Sequence, residues 1–144
     1  MHPKDIVKQV EELGGKLLIV EGNLTLENPD KIGWEIEEYI VSHKSRIVDY
    51  LNGENMDKQF AVDQTISKMF LWWQGIKQPG SQTIQFWTIS EPDSIGLLLE
   101  MSIELANNGW ADPKKSYIPH ETERSKEIAN ELYNSAIAFA NRRR

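Results

Sequence analysis

Three histidines are the side chains of this sequence best suited to acid–base or metal chemistry, and their spacing favours neither. His2, His43 and His120 are far apart along the chain, whereas a metal site typically takes two or three ligands from one face, as in His-Glu-x-x-His. Glu121 and Glu123 follow His120, and carboxylates are stabilised near the N-terminus of a helix. We therefore expect His120 at the start of the last helix.

The remaining catalytic signatures are missing from the sequence. It has no Gly-x-Ser-x-Gly, phosphate-binding loop or Gly-x-Gly-x-x-Gly pattern, and it has no cysteine to act as a nucleophile or metal ligand. Glu35, Glu37 and Glu38 favour an acidic surface over a catalytic carboxylate pair, which needs burial. The sequence predicts a protein that is not an enzyme and that holds no cofactor or metal.

Charge is distributed unevenly along the 144 residues, whose formal net charge is −6. Residues 1–55 hold six Lys and Arg against eleven Asp and Glu, a net charge of −5. This part should repel a phosphate backbone, which is bound by clustered cations. The one dense basic cluster is the run Arg142 to Arg144, interpreted as a solvated tail or, alternatively, as a phosphate contact.

The expected location is the cytoplasm. No apolar run approaches the roughly 20 residues of a membrane span, and Met1–Asp5 lacks the basic-then-apolar pattern of a secretory signal. The absence of cysteine fits a reducing compartment. We expect no membrane partner.

A β-hairpin is the most legible element of the first third. Residues 16–21 and 24–27 read as strands, and Gly22-Asn23 between them predicts a two-residue turn that pairs Val20 with Thr25. Alternation places Leu17, Ile19, Leu24 and Leu26 on one face, predicted to be core. The other face carries Leu18 and Val20, which either helices of the same chain or a partner must cover.

Helical periodicity accounts for most of the remaining chain. A helix is expected from Lys4 to Gly14, another opens at Pro29-Asp30, and Ser42 is expected to cap a third. The polar stretch after Leu51 predicts a domain boundary, with residues 1–52 as one domain and 53–144 as a mainly helical second domain. Residues 82–89 are ambiguous between strand and helix. The expected fold class is α+β.

Four tryptophans distinguish the second domain: Trp72, Trp73, Trp87 and Trp110. Two interpretations are open, a tryptophan-rich core and a groove in which one of them contacts a partner, since tryptophan is enriched at binding hot spots.

The landmarks of residues 4–52 together resemble the TubC N-terminal docking domain family. They are Gly14-Gly15, Gly22-Asn23, the Leu24-Thr25-Leu26 strand, Pro29, and His43-Lys44 followed by Ile47 and Leu51. The resemblance implies a small αββαα module, often a homodimer, that captures a short C-terminal segment of a partner protein at its hairpin. Residues 53–144 are not expected to form the carrier, condensation or ketosynthase domain that usually follows such modules.

The function predicted from these features is non-enzymatic protein–protein docking by strand addition at the exposed hairpin, with a possible homodimer. The expected contact face comprises Lys16, Leu18, Val20 and Thr25, and Lys44 and Arg46 are expected to pair with charges of an acidic segment. The alternatives are a nucleic-acid-binding accessory protein of a mobile element, using the arginine tail, and a small inhibitor of another protein.

Overall fold

The computed structural model describes residues 1–142 and confirms the α+β class, mainly helical with one small antiparallel sheet. Contacts divide the chain into two compact units, Met1–Phe60 and Ala61–Arg144. One-turn 3-10 helices lie at Pro29–Lys31 and Ile118–His120. The elements are α1 Pro3–Glu12, β1 Lys16–Val20, β2 Asn23–Glu27, α2 Trp34–Ser42, α3 Lys44–Leu51, α4 Asp57–Trp73, α5 Ser81–Ser90, α6 Asp93–Asn107 and α7 Glu123–Arg142.

The core of the first unit forms where α1 and α3 pack against β1. The apolar stripe of α1 supplies Ile6 and Val10, as its spacing predicts, and the sheet supplies Leu17. Ile32, Ile40 and Ile47 complete this cluster. Removing these aliphatic side chains from water is the main favourable contribution to folding of so small a unit.

The hairpin register differs from the prediction. Val20 pairs with Asn23, and Leu18 pairs with Thr25, so the loop is Glu21-Gly22 rather than Gly22-Asn23. Both loop residues have positive φ, 52° for Glu21 and 79° for Gly22, as a type I′ turn requires. Gly22 adopts its positive φ without a steric cost. Asn23 lies outside the loop and is the first residue of β2. The shift moves pairings by two residues, so the predicted face assignments survive.

Two helix starts in the first unit also differ from the prediction. Pro29-Asp30 opens a 3-10 turn, and α2 begins only at Trp34, after Gly33 in the cap position. His43, not Ser42, caps α3, and it makes no side-chain capping hydrogen bond. A cap residue needs non-helical backbone angles, and Ser42 is still part of α2.

The core of the second unit lies between α4, α5, α6 and α7. The ambiguous residues 82–89 belong to α5, whose Trp87 is buried and donates from Nε1 to Ser135 Oγ at 3.0 Å. Trp110 is also buried and packs edge-on against Phe70. The core interpretation therefore holds for these two tryptophans. None of the helices within residues 1–142 is long and apolar enough to cross a membrane.

Polar contacts hold the segment between α6 and α7 in place. The Tyr117 hydroxyl donates to Asp63 Oδ1 at 2.8 Å in a buried pair. His120 lies just before α7, as predicted, and its Nδ1 is 3.1 Å from the Asn108 carbonyl oxygen. Across the two helices Arg124 Nη2 donates to Glu100 Oε1 at 2.7 Å, and this hydrogen bond raises the pKa of Arg124 above its ordinary value.

The observed turn predicts the effect of replacing Glu21. A non-glycine residue in the left-handed region costs about 1–2 kcal/mol, and asparagine tolerates it better than glutamate. Glu21→Asn should raise the free energy of unfolding by about 1 kcal/mol, measured by urea denaturation. Asn23→Val is the control, since a strand residue accepts valine. Loss of stability in Asn23→Val, with none gained by Glu21→Asn, would restore the Gly22-Asn23 loop.

Candidate docking groove

A concave apolar groove lies between the hairpin and α2. Leu17, Leu24 and Leu26 line it from the sheet, and Ile40 and Val41 line it from α2. Its volume is about 390 Å³, within the range of pockets that hold ligands. We call these five residues, together with Glu37 and Lys44 at the margin, the docking groove.

The sheet face of the docking groove is the one that sequence analysis predicts to be core. Leu17 is buried, but Leu24 and Leu26 are only half-buried and pack at the margin of the core. Alternation along the strands is therefore correct, while the coverage of this face is incomplete. So short a unit has too few helices to enclose both faces of its two-stranded sheet.

The outer edge of β2 borders this groove and is open. Val20 and Asn23 close a two-residue loop and so form a hydrogen-bonded pair, and such pairs alternate along an antiparallel ladder. Leu24 and Leu26 then direct their backbone N–H and C=O groups away from β1. Within residues 1–142, no backbone hydrogen bond outside the regular elements involves residues 24–26. The edge can accept another strand.

α2 supplies the outer wall of the groove and an exposed apolar ridge. Val41 is 74% exposed although it lines the groove, and Trp34, seven residues earlier on the same helix face, is also exposed. Glu37 and Lys44 lie on either side of Val41 along the chain and place one charge of each sign at the margin. Within residues 1–142, this face of α2 is therefore left uncovered at Trp34 and at Val41.

The predicted contact residues are divided by the hairpin. Lys16, Leu18, Val20 and Thr25 lie on the face opposite the docking groove, where Leu18 and Thr25 are half-buried and Val20 is 45% exposed. Lys44 is exposed and belongs to the groove. Arg46 is only 5% exposed, so its guanidinium is not presented to a partner, and we leave it out of the site.

Sequence reasoning missed Val41, Glu37 and the open side of Leu24 and Leu26. One signal was available: α2 carries Trp34 and Val41 seven residues apart, on a face separate from buried Ile40. An apolar pair at that spacing indicates a second apolar stripe. The partial coverage of Leu24 and Leu26 has no such signal, because it depends on where α2 settles.

His2 and His43 make contacts with side chains and backbone groups of the first unit. His2 Nδ1 accepts from the Lys4 N–H at 3.1 Å, which caps α1, and its Nε2 is 3.0 Å from Asp57 Oδ1. His43 stacks on Tyr39 with ring centroids 4.0 Å apart. Over residues 1–142, no three acidic or histidine side chains form a group that could hold a metal ion.

A second cavity, of about 270 Å³, lies in the other unit between α4, α5 and α7. Its lining is mainly apolar, with Met69, Trp87 and Phe139 and one lysine, Lys68. Trp73 is exposed and does not line it. The residues that line this cavity include no strand edge and no pair of opposite charges, so the docking groove is the better candidate.

Comparison with known proteins adds no family. No family model matches the chain, and neither the curated proteins nor the solved structures contain a match. The resemblance to TubC docking domains therefore stays a prediction.

The groove predicts different responses from its floor and its wall. Leu17→Ala truncates a buried side chain of the core and should lower the free energy of unfolding by about 2–5 kcal/mol. Val41→Glu changes an exposed helix position and should stay within about 0.5 kcal/mol of wild type. Urea denaturation measures both. A large loss of stability in Val41→Glu would mean that Val41 is covered, and that the groove is closed in solution.

Proposed function

We propose that this protein is a non-enzymatic docking protein that captures a short extended segment of a partner by strand addition to β2. The observation that carries the proposal is the open edge of β2 beside an apolar groove. Strand addition obtains affinity from main-chain hydrogen bonds and specificity from pockets for alternate side chains, and this surface offers both.

The geometry assigns roles to the two halves of the site. The backbone groups of Leu24 and Leu26 exchange hydrogen bonds with the added strand. Every second side chain of that strand points to the face that carries Leu17, Leu24 and Leu26, and so enters the groove against Val41. The groove is apolar, and its occupants are therefore aliphatic residues at alternate positions of the segment.

Charge indicates a basic segment rather than an acidic one. Residues 1–55 carry a net charge of −5, and Glu21, Glu27, Glu35 and Glu38 are all exposed around the hairpin and α2. With Arg46 buried, Lys44 is the one cation among the groove residues. Lysine or arginine at the outward-facing positions of the segment would therefore be attracted, and the attraction would weaken with salt.

The absence of cysteine supports a reducing, cytoplasmic setting.

A matched pair of variants tests which face docks. Val41→Glu places a carboxylate in the groove, whereas Val20→Asp places one on the opposite face of the same hairpin. A peptide of about seven residues that alternates valine with lysine is the probe, with affinity measured by isothermal titration calorimetry. Val41→Glu should weaken binding about tenfold or more, and Val20→Asp should bind like wild type.

The opposite pattern would move docking to the face of Leu18 and Val20. Equal binding by wild type and a folded Val41→Glu protein would overturn the groove.

Backbone methylation of the probe tests strand addition itself. The backbone N–H groups of an extended peptide point alternately to its two edges, so its residues form two alternating sets, here called phases. Only one phase faces the edge of β2, and N-methyl groups on the residues of one phase remove the hydrogen-bond donors of that phase alone. Methylation in that phase should abolish binding, while methylation in the other phase should preserve it. Equal tolerance of both phases in the calorimetric titration would show that the peptide binds without pairing with β2.

A further inference from the structure

One helix of the second unit is apolar on two sides. Leu98, Met101 and Leu105 of α6 are buried in the core. On another face of the same helix Ile95, Leu99 and Ile103 are 41%, 48% and 51% exposed. We call these three residues the α6 stripe. A surface helix ordinarily carries polar residues there, so a second apolar face requires an explanation.

The α6 stripe contains no charge. Two of the three acidic residues of the helix bind residues of α7 or just before it: Glu100 accepts from Arg124, and Glu104 accepts from the Thr122 hydroxyl at 2.9 Å. Ser102 borders the stripe, and its hydroxyl donates to the Leu99 carbonyl oxygen at 2.8 Å, so it needs no other partner. A partner that recognised this stripe would meet three aliphatic side chains, with the half-exposed carboxylate of Glu100, paired with Arg124, beside them.

The spacing of the stripe is symmetric. Ile95 and Ile103 each lie four residues from Leu99, on the row of side chains that forms a ridge along a helix. When two such ridges pack antiparallel about a two-fold axis at Leu99, Leu99 meets Leu99 and Ile95 meets Ile103 of the other copy. The interface is then isologous, and the helix dipoles are opposed.

Gly96 fits the same arrangement. It lies inside α6 and beside the stripe, and a Cβ at this position would meet no atom within 4 Å. A glycine inside a helix is less favourable than alanine, and no contact within residues 1–142 requires it here. A neighbouring helix that approached closely at this point would require it.

We propose that the α6 stripe is the interface of a homodimer, in which α6 packs antiparallel against α6 of a second copy. Three half-exposed aliphatic side chains supply far less than the about 800 Å² that each partner contributes to a standard interface. The dimer is therefore a weak one, which forms only at high protein concentration. A charge-free surface also suits two copies that each carry a net charge of −6. This inference does not depend on the docking function.

Sedimentation equilibrium of the full chain tests the dimer between about 5 µM and 1 mM. Wild type should change from a 16.6 kDa monomer to a dimer across this range. Leu99→Lys places two like charges at the axis and should raise the dissociation constant about tenfold or more. Ile137→Lys is the control, because Ile137 is 42% exposed on α7 and lies outside the stripe.

Any other pattern overturns the proposal. A wild type that stays monomeric at every concentration does so, as does a Leu99→Lys protein that dimerises like wild type. Circular dichroism of each variant shows that it is folded. If the dimer is lost in Val20→Asp or Val41→Glu but kept in Leu99→Lys, self-association lies on the hairpin or the docking groove. Leu99→Lys should bind the peptide like wild type whether or not it dimerises.

Cysteine cross-linking tests the antiparallel geometry, and the cysteine-free chain makes each engineered thiol unique. Leu99→Cys should form a disulfide-linked dimer on mild oxidation, whereas Ile137→Cys should do so far more slowly. Ile95→Cys and Ile103→Cys proteins should cross-link when mixed, but neither should cross-link efficiently with itself. Efficient cross-linking of Ile95→Cys with itself would indicate parallel packing and overturn the arrangement.

Discussion

The two-residue turn at Glu21-Gly22 is the constraint on which the first unit depends. Positive φ at both positions fixes which residues of β2 oppose which residues of β1. That register decides that Leu24 and Leu26 belong to non-hydrogen-bonded pairs, and so that their backbone groups lie on the outer edge. A different loop of the same length would leave the faces unchanged and alter the edge. The backbone groups that face outward on β2 are therefore set by the turn.

α2 completes the site by what it leaves uncovered. Its Ile40 is buried in the core, while Val41, the next residue, lies at the groove wall. Because successive residues of a helix are about 100° apart, one helix can close the core and leave a ridge beside it. The same arrangement of a buried residue next to an exposed apolar one is found in α6, where Leu98 is buried and neighbouring Leu99 is exposed. In both units a short helix serves an interior and a surface at once.

Periodicity predicted the elements better than it predicted coverage. The stripe of Ile6 and Val10, the alternation in the hairpin and the helix boundary near His120 could all be read from local spacing. The turn position could not, because Gly22-Asn23 and Glu21-Gly22 are both acceptable two-residue loops and the choice depends on φ at each residue. The burial of Arg46 was missed for a related reason: a charged residue next to a helix start reads as exposed until the neighbouring elements are in place. The docking groove depends on tertiary placement: of its residues, only Lys44 was predicted as a contact residue, while Leu17, Leu24 and Leu26 were assigned to the core.

An open strand edge is also a hazard, because identical edges can pair with one another and continue into aggregates. Glu21 precedes β2 and Glu27 is its last residue; both are exposed, within a part of the chain that carries excess negative charge. Two copies approaching edge to edge bring these carboxylates together, whereas a cationic segment meets attraction at the same place. Repulsion between these carboxylates disfavours pairing of two identical edges, and it leaves the edge accessible to a cationic segment. In the proposed docking function, resistance to edge-to-edge pairing and preference for a cationic segment share one physical origin, the negative charge around β2.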